Sequence, residues 1–139
     1  MFVQDIPVCC AVIRQGFDFL AVQRSASMRD PLRWEFPGGK LEAGETAFDC
    51  IHRELDEELK IQVNICGFMQ TFAFLQGDKR ILLMPFLCTL RGGEIKLIEH
   101  NASLWLNRAQ LSSLTWCEAD LGILKILDYS NLEHTGWWL

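Results

Sequence analysis

The chain has 139 residues, half of them apolar and 22% charged, with a formal net charge of −5. That is enough apolar material for the core of one ordinary domain, expected over residues 1–139, and it excludes a disordered chain. The acidic balance excludes nonspecific binding to a nucleic acid polymer or an anionic membrane, so an anionic substrate needs a cation or clustered Arg and Lys.

Val8 to Ile13 is a short apolar run that reads as a buried strand. After the turn "RQGFD", Phe19 to Val22 reads as its hairpin partner. Residues 24–33, "RSASMRDPLR", form a loop. "WEFPGGKLEAGE" (34–45) is a glycine-shaped loop with a short strand at Lys40–Leu41. Thr46 and Asp49 make a capping-box start for a helix over 46–60, with Phe48, Ile51, Leu55 and Leu59 as its buried stripe. Strands follow near Ile65–Leu75 and Arg80–Leu90, split by the turn "QGDK"; "RGGE" turns the chain again. Leu104–Leu106 is a further strand, Asn107 caps a brief helix through Leu114, and Ala119 to Leu127 is the last helix. These elements predict an α/β fold with a mixed sheet between helical layers.

The six cysteines sit mostly in apolar runs and form no C-x-x-C pair, so they read as reduced, buried hydrophobes; neither a zinc site nor a disulfide framework has the spacing it needs. The N-terminus carries Asp5 ahead of its apolar run and no basic region, unlike a signal peptide. No apolar run approaches the ~20 residues of a membrane span, and the expected location is cytoplasmic.

"RELDEELK" (53–60) concentrates Glu54, Asp56, Glu57 and Glu58. On a helical wheel Glu54, Glu57 and Glu58 share an arc of roughly 100° beside the apolar stripe, and Asp56 faces away. Carboxylates bordering a core need a cation, and oxygen ligands suit Mg²⁺, or Mn²⁺ in its place. Arg53 is placed to orient a carboxylate through paired hydrogen bonds, and Gly38–Gly39 lets backbone approach the site.

Together, "GKLEAGETAFDCIHRELDEELKI" (39–61) resembles the Nudix box, G-x5-E-x7-R-E-U-x-E-E-x-G-U, in which U is aliphatic. Gly39, Glu45, Arg53, Glu54, Leu55, Glu57, Glu58 and Ile61 match; Lys60 stands where the box has Gly, which puts the left-handed helix cap in question. "WEFPGGKLEAGET", "VQR" (22–24), "EHNASLWL" (99–106) and "WCEADLGIL" (116–124) resemble the MutT branch of that superfamily.

The resemblance implies an α/β/α sandwich and hydrolysis of a nucleoside triphosphate to the monophosphate and pyrophosphate. It implies Glu54, Glu57, Glu58 and the Gly38 carbonyl as metal ligands, Glu45 and Gly39 as box support, and Arg53 as an orienting group. Glu54 and Glu99 are both candidates for the general base. Arg24 resembles a phosphate contact and Phe36 a base-contacting aromatic. Asp120 falls where bacterial MutT reads the purine with Asn. Trp34 and Trp116 either line the pocket or belong to the core.

The expected substrate is 8-oxo-dGTP, in nucleotide-pool sanitation serving DNA repair and replication. The alternatives are a CTP, dCTP or modified-cytosine pyrophosphatase and, from another class, a non-catalytic nucleotide-binding module. The apolar tail Trp137-Trp138-Leu139 is expected to pack on the body or on a partner chain, with monomer and homodimer both open.

Overall fold

In β1 (Gln4–Gln15) the five residues Cys9 to Ile13 are all buried, as in a strand covered on both faces. The computed structural model describes residues 3–129. In it β1 runs parallel to β7 (Lys79–Gly93), in register from Gln4–Lys79 to Arg14–Thr89. It also pairs antiparallel with β2 (Asp18–Gln23) and β4 (Gly38–Lys40). β2 carries β3 (Trp34–Glu35) and β8 (Ala102–Asn107); β7 carries β5 (Ile61–Phe68) and β6 (Phe72–Gln76). The result is one mixed sheet.

Alternation along β1 divides the core. Cys9, Ala11 and Ile13 meet Ile51, Leu55 and Leu59 of α1 (Ala47–Leu59). On the other face Cys10 and Val12 join Leu111 of α2 (Arg108–Leu111) and Ile123 and Leu127 of α3 (Leu121–Tyr129). Helices therefore cover both faces of the sheet, which is the layered arrangement expected. Among the described residues, no helix is long and apolar enough to cross a membrane.

Several expectations need correction. The single strand expected over Ile65–Leu75 is two, because β7 is long enough to pair β5 along its second half and β6 along its first. Phe48 is 55% exposed and stacks on Phe86 from the rim; Cys50 takes the buried place beside Ile51. The brief helix after Asn107 ends at Leu111, and the last helix opens as a 3-10 turn at Glu118–Asp120. Cys9 and Cys50 are paired as a disulfide between β1 and α1, so not all six cysteines are free thiols. The two are 41 positions apart, and only the packing of α1 on the sheet brings their Cα atoms to 6.6 Å. The Trp137–Leu139 tail lies outside the described residues.

Both ends of α1 follow local chemistry. Thr46 Oγ1 accepts from the Asp49 N–H at 3.1 Å, and Asp49 Oδ2 accepts from the Thr46 N–H at 3.4 Å, closing the capping box. At the other end Lys60 adopts φ 59°, ψ 36°, the left-handed cap that usually takes Gly, and its N–H still reaches the Asp56 carbonyl. A side chain there crowds the following carbonyl. Lys60→Gly should therefore raise unfolding free energy by about 1 kcal/mol, partly offset by a freer unfolded chain; urea denaturation of the two proteins checks this.

Candidate active site

Arg53 organises the start of the site. Its Nε donates to Glu45 Oε2 at 2.6 Å and its Nη2 to Glu45 Oε1 at 2.9 Å, a two-point grip on one carboxylate. Nη2 also donates to the Lys40 carbonyl at 3.1 Å, while Nη1 reaches Glu54 Oε1 at 2.9 Å and Glu57 Oε2 at 3.2 Å. One guanidinium thus ties the loop after β4 to two acids of α1. This grip, with the Glu42 N–H, holds the Glu45 carboxyl down at about 2.

The two glycines have separate reasons. A Cβ on Gly38 would land on the Cys9 carbonyl of β1, and a Cβ on Gly39 would land on the Glu54 carboxylate. Gly38 therefore lets β4 close on β1, and Gly39 leaves room for the acid.

The three α1 glutamates are not equivalent. Glu54 is 12% exposed and balanced by Arg53. Glu57 is 58% exposed and drawn sideways to the same Arg53. Glu58 points inward, with Oε2 buried and without a hydrogen-bond partner. Burial, its hydrogen bond with Glu54 and the Glu54 charge push its carboxyl up to about 9. Among the described residues no three of His, Cys, Asp and Glu stand arranged as a ligand set, so the convergence expected from the helical wheel is partial: Arg53 turns Glu57 outward. The donor set nevertheless fits a hard divalent cation. It offers carboxylate oxygens, one of them an orphaned buried atom, beside a second acid, and a cation would satisfy both.

Glu58, Gly38, Gly39, Arg24, Glu99, Phe36 and Asp120 all line one cavity of about 490 Å³. Glu99 is exposed, on the segment before β8. Arg24 follows β2 and donates from Nη1 to Glu35 Oε1 at 2.9 Å. Phe36 is both a core residue, stacked on Trp116 at 4.8 Å between centroids, and a cavity wall. Its N–H donates to Asp120 Oδ1 at 3.2 Å, which ties the chain after β3 to the 3-10 turn before α3. Burial and then the Glu35 charge raise the Asp120 carboxyl well above the carboxylate range, against the opposing pull of the Phe36 N–H. Trp116 gives its indole N–H to the Leu111 carbonyl and belongs to the core; neither it nor Trp34 is among the cavity-lining residues.

Two cavity residues escaped the sequence reading. Glu35 sits within "WEFPGG" and His100 within "EHN", where attention went to Phe36 and Glu99. The available signal was Glu35 beside an otherwise buried aromatic pair, since a buried acid needs a partner.

A mixed sheet between helical layers, with an Arg-gripped carboxylate helix facing a cavity, defines a fold and a site that known proteins share. The family model described as NUDIX domain matches residues 4–125. The chain is 32% identical over 99 residues to an 8-oxo-dGTP diphosphatase of Buchnera aphidicola, covering 71% of this chain and 80% of that one. It is 28% identical over 120 residues to the CTP pyrophosphohydrolase of Escherichia coli, covering 86% and 89%. Among solved structures, the DNA mismatch repair protein MutT (family Nudix hydrolase) of methicillin-resistant Staphylococcus aureus superposes with a TM-score of 0.75 at 33% identity, covering 91% and 98%. The site and fold are thus those of a pyrophosphohydrolase. The chain belongs to the Nudix family and is a MutT-like Nudix hydrolase; hydrolases of this family generally use a divalent metal.

The raised Glu58 carboxyl has a thermodynamic sign. Between its ordinary 4.5 and about 9 the folded protein holds a proton that the unfolded chain releases, so stability falls as pH rises through that window. In metal-free protein, Glu58→Gln removes this loss. Its melting temperature should exceed that of wild type by a margin that widens from about pH 5 to about pH 9, measured by calorimetry in chelator.

Proposed function

We propose that the chain is a Mg²⁺-dependent nucleoside triphosphate pyrophosphohydrolase that converts 8-oxo-dGTP to 8-oxo-dGMP and pyrophosphate. The observation that carries the reading is one cavity with two kinds of lining group: acids and close backbone at Glu58, Glu99 and Gly38–Gly39, and an aromatic ring with a buried acid at Phe36 and Asp120. A nucleotide calls for both, the first for its triphosphate through a cation and the second for its base.

Glu54, Glu57, Glu58 and the Gly38 carbonyl oxygen would hold Mg²⁺, with Mn²⁺ as a substitute. When bound, the ion supplies charge neutralisation for the phosphates and the leaving pyrophosphate. Arg24 offers its guanidinium to the phosphates. Arg53 holds Glu54 and Glu57 on one guanidinium nitrogen, Glu54 inward and Glu57 toward the surface, from where Glu57 would have to swing in to reach the ion. Glu99 or Glu54 accepts a proton from the attacking water.

Base choice rests on Asp120. An ionised carboxylate only accepts hydrogen bonds, whereas a neutral acid donates one and accepts another, as an amide does. Burial favours the neutral form of Asp120, in which Oδ2 can donate while Oδ1 takes the Phe36 N–H. Guanine presents the O6 acceptor to such a donor, while cytosine presents an N4 amino donor. The neutral acid therefore favours the oxidised guanine. The cytosine alternative draws support from the likeness to the Escherichia coli CTP pyrophosphohydrolase and requires Asp120 ionised. A binding module without catalysis is disfavoured, because Glu54, Glu57 and Glu58 are all present.

A panel of nucleotides with Mg²⁺, compared by kcat/KM, tests the substrate. The expected order is 8-oxo-dGTP above dCTP; the reverse order replaces the guanine reading with the cytosine one. Asp120→Asn keeps the donor and should retain 8-oxo-dGTP turnover within about threefold, while lowering dCTP turnover by about tenfold, the scale of one misplaced hydrogen bond. Glu57→Gln should lower kcat by ~10²–10³-fold, several kcal/mol of lost charge stabilisation, with the melting profile intact. Wild-type turnover in that variant removes Glu57 from the metal site.

A further inference from the structure

The segment from Lys96 to Asn101 lends Glu99 and His100 to the wall of the cavity. Backbone bonds staple it at both ends. The Lys96 and Ile98 N–H groups donate to the Leu59 and Glu58 carbonyls of α1 at 2.9 and 3.3 Å. At the far end the Asn101 N–H and side-chain amide donate to the Gln23 carbonyl and side chain at 2.9 and 2.7 Å. Between the staples, Leu97, Ile98 and Glu99 are exposed. The one buried side chain in this segment is His100, at 2% exposure.

His100 makes a directed contact inward. Its Nε2 lies 2.9 Å from Glu35 Oε2, and the other Glu35 oxygen takes the Arg24 guanidinium at 2.9 Å. Arg24 is steadied further by donating from Nε to the Arg29 carbonyl. Glu35 thus divides its carboxylate between two groups on separate segments, each adjoining the cavity. The His100 Nδ1 is buried with no hydrogen-bond partner among the described residues, so the ring is held from one side only. An ordinary core histidine satisfies both nitrogens; this one is fastened to the carboxylate that also holds Arg24.

We propose that His100 is a positioning residue for this site: through Glu35 it locks the Glu99-bearing strap to Arg24, so that the general-base candidate and the phosphate contact are set by one shared carboxylate. The roles of Glu99 and Arg24 rest on the function proposed above; the lock itself rests on the contacts just given. His100 acts through its Glu35 contact, by fixing the place of its neighbour. Displacement of a reacting group by about 1 Å costs on the order of 10²-fold in rate, and a released strap allows such a displacement.

The test compares His100→Gln, whose amide nitrogen can reach Glu35 from the place of Nε2, with His100→Asn, whose amide stops short. His100→Asn should speed amide exchange at Ile98 and Asn101 by about tenfold in metal-free protein and, with 8-oxo-dGTP and Mg²⁺, lower kcat ~10–100-fold with KM within about twofold. His100→Gln should restore most of both. Wild-type exchange and kcat in His100→Asn overturn the proposal, as does a defect that Gln does not relieve, or a rise in KM matching the fall in kcat. If wild type itself hydrolyses no nucleoside triphosphate while the exchange pattern appears, the function fails and the lock stands. If wild type is active and His100→Asn matches it in both readouts, the lock alone fails.

Discussion

The guanidinium of Arg53 is the interaction on which the rest of the site depends. Its planar fork offers hydrogens in fixed directions, and here they are divided among Glu45, Glu54, Glu57 and the Lys40 carbonyl. A lysine in the same place would supply charge without the fork. Because Lys40 ends β4, Glu45 lies on the loop after it and the other two acids lie on α1, a single side chain sets the distance between that stretch and the helix. Gly39 is the steric complement: the loop comes so close to Glu54 that any Cβ would collide with its carboxylate.

That closeness has an electrostatic consequence. Arg53 neutralises Glu54 and leaves Glu58, one turn further on, to face the cavity beside like charges. A buried carboxyl with an unpartnered oxygen costs stability unless it is protonated or meets a cation. The same logic applies to Asp120, buried near Glu35, whose carboxyl is raised as well. Both buried acids favour the protonated form when no cation is beside them. They differ in their neighbours: Glu58 adjoins a second carboxylate on the helix, and Asp120 meets the Phe36 N–H. Glu35, in the wall of the same cavity, is the only one of these acids paired with both an arginine and a histidine. It places an arginine in a cavity otherwise lined by several carboxylates.

The order of the chain itself determined α1, its capping box, the faces of its glutamates and the resemblance of 39–61 to the Nudix box. These are all local: a helix relates residues three and four apart, and a capping box relates residues three apart, so sequence spacing is already geometry. The double burial of β1 was legible too, in an apolar run without alternation. Lys60 kept the left-handed cap that the pattern reserves for Gly, because the Asp56 and Leu55 carbonyls and the start of β5 leave the chain no other exit.

Only the tertiary structure decided the relations between distant segments. Cys9 with Cys50, Phe36 with Asp120, and Glu35 with His100 are far apart in the chain and meet because α1 packs on β1, the 3-10 turn comes against the chain after β3, and β3 and β8 both pair with β2. No periodicity records such a meeting, since each partner alone looks like an ordinary buried cysteine, loop acid or surface histidine. The sequence thus determined which carboxylates α1 carries and which of them share an arc. The packing of that helix on the sheet decided which of them Arg53 pairs, which is buried and holds a proton beside its neighbour, and which distant residues surround them, because desolvation and pairing are set by what surrounds a group in space.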